Sequence, residues 1–216
     1  MCEQIPDNIQ AIFFDHDDTL VNTIGTKWAQ HKYIARRFYD RELSDDDIRE
    51  HWGKPLDVMI GLLYGTDDLQ DAMQNVLATR DRFEKELFEF TMPTLRMLKL
   101  GGYALGVITA TSSDSFNHDL EYHNVGIELF DYVQTSEDTK FHKPDPRVFV
   151  PAVSWLSDNS IKPENVLYVG DGLHDMKAAK DAGFVFFGVE TGLVSAEEFA
   201  ANGAKSVKNV GKLVNS

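Results

Sequence analysis

Two apolar runs in this 216-residue chain break off abruptly on aspartates, and no other feature restricts its folding as much. Ala11-Ile12-Phe13-Phe14 runs into Asp15-His16-Asp17-Asp18-Thr19-Leu20, and Val166-Leu167-Tyr168-Val169 runs into Gly170-Asp171-Gly172-Leu173-His174-Asp175. A short apolar run without alternation reads as a strand buried on both faces. Ending such a strand on carboxylates gathers like charges at the edge of a core, which is unfavourable unless a cation is bound there. Two such endings predict that Asp15, Asp17, Asp171 and Asp175 converge on one divalent metal.

Further strand candidates lie at 103–109, 132–134 and 184–189. Helical patterns separate them at 93–100, 114–122, 146–156 and 175–182, and a short helix, strand and helix follow Glu190. This alternation predicts an α/β fold, a Rossmann-like parallel sheet core with helices on both faces. Ligands of such sheets bind at strand carboxyl ends, near the topological switch point, where both acidic segments fall. From about Thr23 to Phe90 the alternation stops and the pattern reads as all helical. Trp28, Tyr33, Ile34 and Phe38 share a helix-like spacing, Ser44 and Asp47 resemble a capping box, 55–64 opens on Pro55, and apolar residues recur from Leu69 to Phe90. The predicted division is therefore a core of residues 1–22 and 92–216 with an inserted all-helical domain at 23–91.

Thirty-five acidic residues against 21 Lys and Arg leave a net charge of −14, which repels nucleic acid and anionic membrane. Any phosphate bound must therefore meet local cations. No apolar run approaches the ~20 residues of a membrane span. The single cysteine, Cys2, leaves no internal disulfide, and the first ten residues hold no signal-peptide pattern, so a cytoplasmic location is the expectation.

Four segments in order carry a family resemblance: Asp15-His16-Asp17-Asp18-Thr19-Leu20-Val21, Gly106-Val107-Ile108-Thr109, Lys143-Pro144-Asp145-Pro146, and Gly170-Asp171-Gly172-Leu173-His174-Asp175 running on to Gly183. Together they resemble the haloacid-dehalogenase-superfamily phosphatases with a helical cap inserted after the first motif, the group of the phosphoglycolate phosphatases and β-phosphoglucomutases. The resemblance implies Asp15 as nucleophile, a role for which a carboxylate, already ionised at neutral pH, needs no base. It implies Asp17 as general acid and base, ligating Mg2+ through its carbonyl alone, because a proton-carrying side chain cannot also hold a metal. Asp15, Asp171 and Asp175 would complete the Mg2+ site, Asp175 directly or through water. The hydroxyl of Thr109 and the amide of Ala110 would hold the transferring phosphoryl group, and Lys143 would offset its charge.

The dehalogenases and capped phosphonate hydrolases of this superfamily lack the second acidic residue of the first motif, so Asp17 favours phosphoryl chemistry. Asp18 stands where the family often has glycine, beside the site or facing solvent. In the cap, Trp52-Gly53-Lys54-Pro55 resembles the loop that reaches the site, with Lys54 as partner for a substrate anion. The mutases carry a histidine where this chain has Lys27, which weakens a mutase reading. The expected activity is Mg2+-dependent hydrolysis of a small phosphorylated metabolite, phosphoglycolate-like or a sugar phosphate, through an aspartyl-phosphate. A phosphomutase and a non-catalytic phosphometabolite-binding protein are the alternatives. Monomer and homodimer are both compatible with the sequence.

Overall fold

The computed structural model describes residues 5–52, 54 and 56–214. The positions of Cys2, Gly53 and Pro55, named above, lie outside the described residues. The chain enters through β1 (Ala11–Phe14) and β2 (Val21–Asn22) and runs through α1 (Thr23–Tyr39), α2 (Asp45–His51), α3 (Leu56–Tyr64) and α4 (Leu69–Ala78). It returns in β3 (Glu86–Leu87), which pairs with β2. It continues as α5 (Thr91–Leu100), β4 (Ala104–Ile108), α6 (Ser113–Tyr122), β5 (Tyr132–Gln134), α7 (Val150–Asp158), β6 (Val166–Gly170), α8 (Leu173–Asp181), β7 (Val185–Val189), α9 (Ala196–Ala201) and β8 (Lys205–Val207).

Six strands form one sheet in the order β5-β4-β1-β6-β7-β8, every neighbouring pair parallel. The chain first builds outward from β1 to β4 and β5, then crosses back to β6 on the other side of β1. The topological switch point therefore falls at β1. The register aligns Phe14 with Val107 of β4 and with Val169 of β6, so these three strands end level with one another.

β1 and β6 are buried along their whole lengths because helices cover both faces of the sheet. Alternation then sorts their side chains. Ile12, Phe14, Leu167 and Val169 join Leu95, Leu98, Phe116 and Leu120 on one face. Phe13, Tyr168 and Phe186 join Ala152, Leu156, Met176 and Phe199 on the other. Gly106 lies opposite Phe13 in the register, and a Cβ there would stand 2.5 Å from the Phe13 ring, so this position admits the ring only as glycine.

The chain divides into two compact units, residues 1–22 with 87–216, and residues 23–86. The second unit has its own core, in which Trp28, Ile34 and Ala35 of α1 meet Ile48 of α2, Met59, Ile60 and Leu63 of α3, and Ala72 of α4. α2 opens with the capping box read from Ser44 and Asp47: the Ser44 hydroxyl accepts the Asp47 amide at 3.1 Å and the Asp47 carboxylate accepts the Ser44 amide at 2.8 Å.

Two helical readings are corrected. The segment from Leu69 to Phe90 is not helical throughout: α4 stops at Ala78, a 3₁₀ turn occupies Arg80–Arg82, and Glu86–Leu87 is a strand. Side-chain hydrogen bonds, one local and one from α1, end α4. The Thr79 hydroxyl donates to Asn75 O, and Gln30 of α1 donates to Val76 O, so the last carbonyls are taken by side chains. The helix read at 146–156 is a 3₁₀ turn over Pro146–Phe149 followed by α7, because Pro151 has no amide proton and can sit only in the first turn of a new helix.

Candidate active site

Three adjacent strands end on three of the residues singled out above: β4 on Thr109, β1 on Asp15 and β6, after Gly170, on Asp171. The backbone holds these ends firmly. The Asp15 amide donates to Val169 O at 2.8 Å, and the Thr109 amide donates to Gln134 O at 3.0 Å. Asp175 lies in the first turn of α8, fully buried, and one of its oxygens accepts the Gly172 amide at 3.0 Å. Carboxylate oxygens of Asp15, Asp171 and Asp175 all lie within 4.8 Å of one another.

Lys143 enters from the loop before Pro146–Phe149 and places its ammonium among these acids. Its Nζ donates to Asp15 Oδ1 at 2.6 Å, to Asp175 Oδ1 at 2.6 Å and to the Tyr168 hydroxyl at 2.8 Å, using all three of its protons. Burial disfavours the ammonium, but Asp15 and Asp175 outweigh it and hold Lys143 protonated well above the ordinary lysine range. Burial pushes Asp15 up to about 6. Lys143 opposes this, while Asp175 and Asp17 add to it. Asp171 is raised well above the carboxylate range, first by burial and then by the charges of Asp175, Asp15 and Asp18.

Three clustered carboxylates against one ammonium form a hard-oxygen donor set with excess negative charge. That composition suits Mg2+, which takes carboxylate, carbonyl and water oxygens. Asp15, Asp171 and Asp175 would hold the ion.

Asp17, the fourth aspartate of the sequence expectation, is not part of this three-carboxylate group, and the Thr111 hydroxyl donates to its Oδ2. The Thr111 amide donates to Thr109 Oγ1 at 3.0 Å. Ala110, between them, is exposed. Asp18 is buried and adopts a left-handed backbone with φ 55°, a conformation favoured by glycine. Its amide donates to Val21 O at 2.8 Å, and its carbonyl accepts the Thr191 hydroxyl at 2.5 Å.

Lys54 belongs to the helical unit, is exposed, and meets His51 Nδ1 at 2.8 Å. Lys27 donates to Phe83 O at 3.1 Å within that unit. The His174 side chain is 55% exposed, with Nε2 3.5 Å from Asp175.

The sequence reading missed three groups. Tyr168 reads as a core strand residue, yet its hydroxyl donates to Ile108 O at 3.0 Å while accepting from Lys143. Thr111 falls two residues beyond the end of the second motif. Thr191-Gly192 lies in the stretch after Glu190, which reads only as a short helix, strand and helix. There the Thr191 hydroxyl ties down Asp18, and a Cβ on Gly192 would collide with the Asp171 carboxylate. Only Tyr168 carried a sequence signal, as the one polar-tipped side chain in an otherwise apolar run.

The chain belongs to the haloacid dehalogenase-like hydrolase family, whose profile matches residues 12–189. Among curated relatives, the pyrophosphatase PpaX of Bacillus velezensis is 29% identical over 197 residues, covering 89% of this chain and 88% of its own length. PpaX of Anoxybacillus flavithermus is 28% identical over 196 residues, covering 89% of both chains. Among solved structures, a Bacteroides fragilis protein assigned to the haloacid dehalogenase-like hydrolases superposes with a TM-score of 0.78 at 30% identity, covering 95% of this chain and all of its own.

Proposed function

We propose that this protein is a Mg2+-dependent phosphatase that cleaves small organic phosphates through an aspartyl-phosphate on Asp15. The observation that carries this reading is the buried ammonium of Lys143, 2.6 Å from both Asp15 and Asp175 at the switch point of the sheet.

An Asp15 carboxylate oxygen attacks phosphorus and displaces the leaving oxygen, which takes a proton from Asp17. The Thr109 hydroxyl and the Ala110 amide hold the phosphoryl oxygens, and Lys143 offsets the charge that gathers on them and on Asp15. Water then attacks phosphorus, Asp17 takes its proton, and phosphate leaves with Asp15 regenerated. When bound, Mg2+ supplies a positive charge that shields Asp15 from the incoming phosphate and orients its oxygens. In this reading residues 23–91 serve as the cap that limits the site to small substrates, and Lys54 pairs with a substrate anion.

The resemblance to the phosphoglycolate phosphatases and β-phosphoglucomutases points to a phosphoglycolate-like substrate or a sugar phosphate. Pyrophosphate is a second candidate, because curated relatives that match 89% of this chain are named pyrophosphatases. Among the described residues no helix is long and apolar enough to cross a membrane, in keeping with a freely diffusing small-molecule enzyme.

The test is phosphate release from a panel of phosphoglycolate, hexose phosphates, nucleotides and pyrophosphate. Release is expected with Mg2+, lost in EDTA and lost in Asp15→Asn. Two phosphates per molecule consumed would mark pyrophosphate as substrate. Release that persists in Asp15→Asn would overturn the nucleophile. Label moving between two positions of one sugar without free phosphate would replace the phosphatase with a mutase, and Mg2+ and ligand binding without either would replace it with a binding protein.

A further inference from the structure

Asp17 and Thr109 come from different strands, and one residue touches both. Thr111 offers its amide to Thr109 Oγ1 at 3.0 Å and its hydroxyl to Asp17 Oδ2. Each contact removes a freedom the chemistry cannot tolerate. A threonine hydroxyl has one proton and two lone pairs. Because Thr109 Oγ1 accepts from the Thr111 amide, its own proton remains for an incoming phosphoryl oxygen. A carboxylic acid can carry its proton on either oxygen. Because Asp17 Oδ2 already accepts from Thr111, the proton that Asp17 delivers belongs on Oδ1.

We propose that Thr111 is a positioning residue for this active site, orienting the phosphoryl-binding hydroxyl of Thr109 and assigning the transferable proton of Asp17 to Oδ1. The proposal rests on the phosphatase reading above. In the first half-reaction Oδ1 gives its proton to the leaving oxygen, and in the second Oδ1 takes one from the attacking water, so Asp17 ends each cycle as it began. Oδ2 keeps the Thr111 hydrogen bond throughout and changes no bonds. Thr111 is half-buried, and its carbonyl accepts the Ser136 amide at 3.1 Å, which fixes the backbone whatever the side chain. A change confined to the hydroxyl therefore isolates the contact with Asp17.

The experiment is a double-mutant cycle on the full chain, with the substrate that gives most phosphate in the panel. Thr111→Val keeps the branched shape and the amide but removes the hydroxyl, and should lower kcat about tenfold with KM changed less than about threefold. Thr111→Ser restores the hydroxyl and should recover most of that loss. In the Asp17→Asn background, Thr111→Val should cost no more than about twofold, because the group it orients is gone. Melting curves check that each variant is folded, and Thr111→Ala carries the same cycle should the valine variant fail to fold. A parent-like kcat in Thr111→Val, or an equal loss in both backgrounds, overturns the proposal while leaving the phosphatase assignment standing. No phosphate release from the parent enzyme overturns both.

Discussion

Lys143 shows how far a single residue depends on partners that a motif does not name. Its three protons meet Asp15, Asp175 and the Tyr168 hydroxyl. Tyr168 in turn donates to Ile108 O, so a phenol in the sheet interior links the strand that ends on Thr109 to the lysine that faces Asp15. Tyr168→Phe deletes only this bridge, since the ring stays packed against Phe149. A buried acceptor and one ammonium proton lose their partner, which destabilises the fold by about 1–3 kcal/mol and lets Lys143 wander. Steady-state assays should show kcat reduced about tenfold, and chemical denaturation should show the stability loss. The same scale explains Asp18. Its left-handed backbone accounts for the glycine often found there in the family, and a short polar side chain tolerates that conformation better than a bulky one. The motifs predict that Asp15, Asp17, Asp171 and Asp175 converge, and the structure groups three of them, Asp15, Asp171 and Asp175. Tyr168 and Thr111 escape, because a hydrogen bond between distant segments leaves no periodic trace in either.

At the scale of elements, patterning located the strands well and the helix ends less well. Buried strands must be apolar along their length, so 10–14, 132–134 and 166–169 stand out against the polar turns around them. Helix ends are decided by who takes the last carbonyls, and Gln30 takes one of α4's from another helix. The helical unit also holds a titratable joint. His31 of α1 shares a 2.7 Å hydrogen bond with the Tyr64 hydroxyl of α3, and burial, aided by Lys27, lowers its pKa to about 4. A histidine whose folded pKa lies below its unfolded value of about 6.5 disfavours folding once it must take a proton. Its neutral form is fully compatible with the fold above pH 6.5, and stability is lost as pH falls from there toward 4. Between pH 7 and pH 5 the loss amounts to about 2 kcal/mol. Denaturation followed by tryptophan fluorescence, with Trp28 and Trp52 in this unit, should show the loss, and His31→Gln should flatten it. An equal pH dependence in the variant would assign the effect to other groups.

For the whole molecule, the balance of charge at the site is decisive. The chain gathers buried and half-buried carboxylates of Asp15, Asp171 and Asp175 around the ammonium of Lys143, and burial raises the first two. A bound dication relieves that repulsion in the folded state alone. Mg2+ at 100 times its dissociation constant should therefore add about 2.7 kcal/mol of stability. Melting in Mg2+ against EDTA checks this, and Asp171→Asn should shrink the shift. The sequence by itself determined the parallel α/β sheet, the helical stretch that interrupts it and the acidic strand ends that meet at its edge, because buried strands and acidic strand ends follow from local residue type. Only the tertiary structure decided the strand order that brings β4, β1 and β6 side by side, the ending of α4 by a side chain of α1, and the contacts of Tyr168, Thr111 and Thr191-Gly192. Each depends on which distant segments meet, and that is set by packing the whole chain at once rather than by any local run of residues.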